Sequence, residues 1–267
     1  SSAASDVYKR QKQKNRGGKI MNKKAEQLFS DLNDGKDFLV KDPELREIMI
    51  NYLYGDVYHH GNLDFKLREL ILIVVNTTNH TLKALKEHVT SGLSVGVTPV
   101  EIKEAVYQCT PYIGLGKVEE ALEIVNLVFE EKNISLPLLP QATVQGDNRF
   151  EKGFAVQSAA FGQEHIQAGH DHAPKELKHI QNYLSEYCFG DFYTRNGLDL
   201  PTRELITMVM LATLGGCENQ LRAHVGANLT VGNNRDTLIE TITQCQPYIG
   251  FPRTLNAIAI INEITKK

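Results

Sequence analysis

Two stretches of the chain are apolar almost without interruption: LRELILIVV at 67–75 and TRELITMVML at 202–211. A helix that is hydrophobic nearly all round has no solvent face, so each stretch is expected to run through the middle of a helical bundle. Other apolar residues fall at helical spacing. Ile102, Ala105, Val106 and Cys109 form one stripe, and Leu238, Thr241, Ile242 and Cys245 form its counterpart. Ala121, Leu122, Val125 and Asn126 match Ala257, Ile258, Ile261 and Asn262 in the same way. Helix starts are marked as well. Asp64 and Asp199 stand where N-caps would open the two apolar helices, Thr98-Pro99-Val100-Glu101 supplies a cap, a first-turn proline and a capping-box glutamate, and Asn234 caps the matching helix. No run alternates with the period of a strand. The expected fold is all-α, built as two similar bundles.

The correspondence is that of a duplication. YGDVYHHGNLDFKLRELILIVV aligns with FGDFYTRNGLDLPTRELITMVM, LKEHVTSGLSVGVT with LRAHVGANLTVGNN, and QCTPYIG with QCQPYIG. Cys109 and Cys245 are 136 positions apart, as are His88 and His224, whereas Glu69 and Glu204 are 135 apart, as are Gly55 and Gly190. A single insertion between Glu and His accounts for the difference. Repeat 1 is expected over residues 21–135 and repeat 2 over 145–267, joined by a proline-bearing linker at 136–144. Residues 1–20 are polar, basic and rich in Gly and Ser, and read as a disordered extension or tag. In each Pro-Tyr-Ile-Gly segment the proline is expected to end the helix before it, and Gly114 or Gly250 to take the open geometry that starts the next.

With 267 residues, 42% of them hydrophobic, the chain can bury a substantial core. A net charge of -3 with both signs interspersed offers no basic stripe for nucleic acid and no polybasic segment for a membrane surface. No apolar run of spanning length and no signal-peptide pattern is present, which points to the cytoplasm. The four cysteines, 109, 188, 217 and 245, form no C-x-x-C pair and are expected to be reduced thiols.

Polar residues embedded in apolar sequence and repeated in both halves are the candidates for chemistry, because burying them costs about 1–3 kcal/mol each unless they are paired. They are Arg68, Glu69, His88, Gln108 and Tyr112, and Arg203, Glu204, His224, Gln244 and Tyr248. Glu204 with His224, and Glu69 with His88, read either as acid/base pairs or as buried staples between helices. Tyr112 and Tyr248 are either packed aromatics or pocket-wall donors. Cys217 invites a thiol-redox reading, yet it precedes His224 by seven residues, or roughly 10 Å along a helix, and its counterpart is Thr81. His165, His170, His172 and His179 lack the spacing of a metal-binding helix face, and GHDHAP reads as an exposed loop; no metal is expected. His59 and His60, without counterparts in repeat 2, read as surface residues.

The string FGDFYTRNGLDLPTRELITMVMLATLGGCENQLRAHVGANLTVG, followed by ETITQCQPYIGFPRTLNAI, resembles the carboxymuconolactone decarboxylase family of the alkylhydroperoxidase D-like superfamily. Repeat 1 resembles it through YGDVY, LDFKLREL, LKEHVTSGLSVGVTPVEIKEAV and PYIG. The resemblance implies tandem all-α bundles of that type, interlocked in oligomers; a trimer of tandem chains would present six quasi-equivalent domains. The peroxidase branch carries a C-x-x-C before its histidine, where this chain has Cys217 and Gln220, or Thr81 and Ala84, so the dithiol is absent. The decarboxylase branch keeps Glu and His without it and uses no cofactor. The resemblance implies loss of carbon dioxide from a small carboxylated lactone such as 4-carboxymuconolactone. His224 would move the proton, Glu204 would orient it, Arg195 or Arg203 would hold a carboxylate, and Glu69 with His88 would form a second or degenerate site. Tyr193, where the family's decarboxylases commonly have Trp, joins Tyr112, Tyr248 and Cys217 as an expected substrate-binding wall. A thiol-dependent peroxide reductase and a non-catalytic oligomeric ligand-binding protein are the alternatives.

Overall fold

The computed structural model describes residues 23–32 and 41–266; the expected extension or tag at 1–20 lies outside them. The chain divides into an N-terminal unit up to Asn62 and a larger unit from Leu63 onward. Among the described residues there is no strand, and no helix is long and apolar enough to cross a membrane.

In the N-terminal unit, residues 23–32 form α1, and α2 (Pro43–Ile50) runs without a break into a π-helical segment, Asn51–Val57. Arg46 reaches back to Glu26 through two hydrogen bonds of 2.5 and 2.9 Å, and Phe29 packs on Tyr54 with ring centroids 5.3 Å apart. His59 and His60 are exposed, as expected.

The larger unit begins with α3 (Phe65–Asn79), α4 (Leu82–Ser94), α5 (Pro99–Gln108), the single turn α6 (Thr110–Ile113) and α7 (Leu115–Glu131). After a stretch without α-helix, which ends in the 3-10 turn Gly146–Asn148, come α8 (Arg149–Phe161), α9 (Gln163–His172) and α10 (Lys178–Tyr183), the last continuing into a second π-helical segment, Leu184–Tyr193. Helices α11 (Leu200–Leu214), α12 (Glu218–Thr230) and α13 (Arg235–Thr265) complete it. The expected caps form: Asp64 accepts from the Leu67 amide, Asp199 from Thr202 and Asn234 from Thr237, and Thr98 with Glu101 makes the capping box. Burial of α3 is continuous from Arg68 to Thr78 and of α11 from Arg203 to Thr213, which matches their unbroken apolar sequence.

The repeats share a core. Ile206, Val209 and Met210 of α11 and Cys245 and Ile249 of α13 pack in one cluster with Ile71, Ile73, Val106, Val125 and Phe129 of the first repeat. Helices α3 and α11, the apolar pair, lie against each other, and α13 packs on both. Helix α8 seats on the second π-helical segment through Gly153, where an added Cβ would stand 1.9 Å from the Ser185 carbonyl oxygen. Only glycine admits that approach.

The two Pro-Tyr-Ile-Gly joints are built differently. In repeat 1, α5 ends at Gln108, ahead of Pro111, as expected. In repeat 2 the helix runs on through Pro247, and the break comes at Gly250, with φ 75° and ψ 164°. The glycine rather than the proline therefore makes the joint there; Gly114 takes nearly the same conformation, φ 86° and ψ 157°. That left-handed region suits residues without a Cβ.

Candidate active site

The filter for polar residues in apolar sequence selected side chains that the fold buries. Glu69, His88, Gln108, Arg68, Arg203, Glu204, His224 and Gln244 are all buried. Glu69 on α3 and Glu204 on α11 sit in the second turn after the N-cap. His88 and His224 occupy the facing helices α4 and α12.

Each histidine meets its glutamate through Nδ1. His88 Nδ1 is 2.8 Å from Glu69 Oε2, and His224 Nδ1 is 2.7 Å from Glu204 Oε2. With the carboxylate ionised, Nδ1–H donates to it, and Nε2 is the nitrogen left to act. Here the two pairs diverge. His88 Nε2 is engaged by the Tyr248 hydroxyl at 2.6 Å, with the rings edge to face at 5.2 Å. His224 Nε2 has no hydrogen-bond partner among the described residues, and the Glu204 oxygen not bonded to His224, Oε1, is buried without one as well. The histidine side chain is 11% exposed at His224 and 5% at His88. One pair is stoppered and the other is open.

The tyrosines of the Pro-Tyr-Ile-Gly joints are exchanged between repeats. Tyr248 of repeat 2 serves His88 of repeat 1, while Tyr112 of repeat 1 stands edge-on to His224 of repeat 2 at 6.2 Å. The Tyr112 hydroxyl meets not the histidine but Tyr193 at 3.2 Å, and the Cys188 thiol donates to it at 3.6 Å. Tyr193 continues the chain to the Thr207 hydroxyl at 2.6 Å, which also accepts from Gln108. Burial first, then neighbouring groups including Glu204, push both phenols well above their ordinary value, so they remain neutral O–H donors. Phe161, at the end of α8, also stands edge to face with the imidazole, with ring centroids 5.0 Å apart.

The arginines are placed elsewhere. Arg195 makes three contacts of 2.9–3.0 Å to the buried carboxylate of Glu104 on α5, and Arg203 Nη2 reaches the same carboxylate at 3.2 Å. Arg203 is also tied to Gln108 Oε1 at 2.7 Å and to the Arg195 and Asn196 carbonyls. The cavity that Arg195 lines includes neither Glu204 nor His224. Both guanidiniums are thus drawn to a repeat-1 glutamate, Arg195 through Nε and Nη2 and Arg203 through Nη2, so the structure places the two expected carboxylate-holding arginines at this cluster rather than beside His224. Glu240, the counterpart of Glu104, likewise accepts from the Leu63 amide, pinning the segment before α3.

Cys217 does not join the pair either. It is the residue before α12, its thiol donates to the Leu211 carbonyl at 3.2 Å, and burial followed by Glu218 raises it above the ordinary thiol value. That is the reverse of what an attacking thiolate needs. Its neighbours in a small cavity are Leu211, Ala212, Leu221, Arg253 and Ile260 rather than His224. The histidines of GHDHAP lie on helix α9, not in a loop: His172 Nδ1 bonds the Ala168 carbonyl and His170 bonds Ser185. Successive turns of an amphipathic helix account for that run better than a turn does. The described residues contain no group of three or more His, Cys, Asp or Glu placed to hold a metal ion.

Four contributors carried little signal in the sequence. Phe161 stands at the end of α8, outside the segments that align between the repeats in sequence, and Cys188 and Thr207 look like ordinary core residues. Glu104 is repeated as Glu240 but sits between Lys103 and Ala105, where it reads as a solvent-facing charge.

The chain is similar in sequence to known proteins. A curated 4-carboxymuconolactone decarboxylase of Acinetobacter baylyi is 30% identical over 120 residues, covering 45% of this chain and 89% of that protein. An uncharacterized 15.0 kDa protein of Paracoccus denitrificans is 30% identical over 93 residues, 34% of this chain and 69% of that protein. The model of the carboxymuconolactone decarboxylase family matches residues 43–127 and again 178–263, so the stretches carrying both Glu–His pairs are each covered. The chain, with a match to each of its repeats over more than half its length, belongs to the carboxymuconolactone decarboxylase family.

Proposed function

We propose that the chain is a cofactor-independent carboxy-lyase acting on a small carboxylated lactone of the 4-carboxymuconolactone kind, with Glu204 and His224 as the working pair. The observation that carries this reading is the open imidazole: Nδ1 is fixed by Glu204 at 2.7 Å while Nε2 has no partner among the described residues. Membership of the family and the Acinetobacter relative support the reaction class.

In such a reaction the bond from the ring to the carboxylate carbon breaks, carbon dioxide leaves, and the electron pair passes into the conjugated lactone carbonyl as an enolate. A proton then returns to a ring carbon. His224 is suited to deliver it from Nε2, because the Glu204 carboxylate stabilises the imidazolium through Nδ1–H. Tyr112, kept neutral by burial and adjacent to the ring, is suited to donate toward the developing oxyanion. The rings of Phe161 and Tyr112, packed against the imidazole, would limit water at it. Glu69 and His88 take the degenerate role, since Tyr248 occupies the nitrogen that would act.

Such a substrate would be met most readily by an assembly of tandem chains, consistent with interlocking in the family, and the remaining carboxylate would need a cation outside the Glu104 cluster. The test is release of carbon dioxide from 4-carboxymuconolactone by the purified protein, followed with a coupled carbonate assay. Turnover supports the reading. No release, together with thiol-dependent peroxide consumption, would replace it with the peroxide-reductase alternative.

A further inference from the structure

A cavity of about 450 Å³ opens beside α5, and its lining includes no member of either Glu–His pair. Its walls are Val100, Lys103, Glu104 and Tyr107 of α5, Asn126 of α7, Arg195, and the segment Leu136–Gln141 that joins the repeats. Its volume lies in the range of small-ligand sites, which run from about 300 to 1,000 Å³.

Its charges do not balance. Both oxygens of Glu104 are taken by Arg195 and Arg203. Lys103 is 8% exposed, and among the described residues its ammonium bonds one acceptor, the neutral Oδ1 of Asn126, leaving two N–H donors without a partner there. A buried ammonium facing an amide and no carboxylate is costly unless an anion completes it. Arg195 Nη1 is likewise without a protein partner. The Tyr107 ring lies 6.0 Å from Lys103 Nζ and 5.4 Å from the Arg195 guanidinium, and the Phe129 ring lies 5.8 Å from Lys103 Nζ. Opposite them the wall is apolar, from Val100, Leu136, Pro137 and Leu138. Burial alone lowers the Lys103 ammonium from its ordinary value, as expected of a cation awaiting its counter-ion.

The feature is peculiar to one repeat. The counterpart of Lys103 is Ile239 and that of Tyr107 is Thr243, while Asn262, the counterpart of Asn126, is bonded by Arg235 instead. The duplicated frame alone therefore does not require a lysine here.

We propose that this cavity is a binding site, distinct from the Glu204–His224 pair, for a small organic monocarboxylate whose carboxyl group meets Lys103 and Arg195 and whose apolar body lies on Tyr107, Leu136 and Leu138. The site does not rest on the decarboxylase reading.

The probe is 3-phenylpropionate, with the neutral isostere 3-phenylpropanamide as its control, measured by isothermal titration calorimetry on the full chain. The carboxylate binds, and the amide binds at least about tenfold more weakly. Lys103→Met weakens the carboxylate about tenfold or more, Lys103→Arg stays within a few-fold, and His224→Asn leaves it unchanged. In the unmodified protein, the probe also protects Lys103, but not the exposed Lys152, from acetylation read by peptide mass spectrometry; this readout stands even if Lys103→Met fails to fold. Equal affinity for acid and amide overturns the proposal. So does binding that survives Lys103→Met but disappears with His224→Asn, or the absence of both heat and protection at about 10 mM probe.

Discussion

Replacing Glu104 by Gln tests how the two repeats are held together. The Glu104 carboxylate is 1% exposed and accepts four contacts from two guanidiniums, Arg195 at 2.9–3.0 Å and Arg203 at 3.2 Å. Arg203 is itself 1% exposed, and its Nε is already buried without a partner. Glu104→Gln would leave that guanidinium as an uncompensated buried charge, which keeps among the described residues the neutral acceptors Gln108 and two carbonyls. Breaking a buried pair from one side costs about 3–5 kcal/mol, and the amide oxygen retained by Gln puts the expected loss near the lower end, about 3 kcal/mol. For a chain of this size that corresponds to a fall in melting temperature of about 6–12 °C. The exposed pair Arg222–Glu263 supplies the control: Glu263→Gln should cost no more than about 0.5 kcal/mol. Removing both charges in Glu104→Leu/Arg203→Met should recover part of the loss, because the stranded cation is gone. Differential scanning calorimetry or urea unfolding reads all four proteins. A Glu104→Gln midpoint within the error of the Glu263→Gln control would refute the view that this cluster carries a desolvated charge balance.

Three further outcomes follow from the same contacts. Tyr248→Phe strips His88 Nε2 of its 2.6 Å partner and should lower stability by about 1–3 kcal/mol while leaving turnover near that of the unmodified protein; loss of turnover comparable to that in His224 variants would place the chemistry at His88. Cys217→Ser should leave carbon dioxide release unchanged, and the thiol should react slowly with iodoacetamide at pH 8, since burial raises it; rapid alkylation would contradict the local structure. Stability should be flat to about pH 9 and fall above it, because burial pushes the Cys109 and Cys188 thiols up to about 12 whereas the unfolded chain ionises near 9. The unfolded state then binds fewer protons than the folded one, so stability is complete below the unfolded value and is lost toward the folded value, at about 1.4 kcal/mol per pH unit per group. Urea midpoints that stay constant from pH 8 to 11 would refute it.

Much of the fold was legible because duplication prints the same constraints twice. Asp64 and Asp199, Thr98 with Glu101, and the two apolar helices are local signals, and local signals survive in sequence. The Glu–His pairs were legible for a related reason: a buried charge in an apolar helix demands a partner, and each pair lies within one repeat. What crosses between repeats was not legible. The exchange of Tyr112 and Tyr248 and the capture of Arg195 and Arg203 by Glu104 depend on how α3, α5, α11 and α13 pack, which no periodicity reports. The same holds for the joint at Gly250, where tertiary packing carries a helix through Pro247 that local propensity would stop. The α9 histidines show the opposite failure, since turn-like residues were absorbed into a helix by its neighbours.

The asymmetry between the stoppered and the open histidine is tested most directly by comparing kcat of His224→Asn and His88→Asn on 4-carboxymuconolactone under saturating substrate. Loss of a general acid predicts a fall of about 10²–10⁴-fold for His224→Asn and little change for His88→Asn. Equal losses in both variants, or a loss confined to His88→Asn, would contradict it.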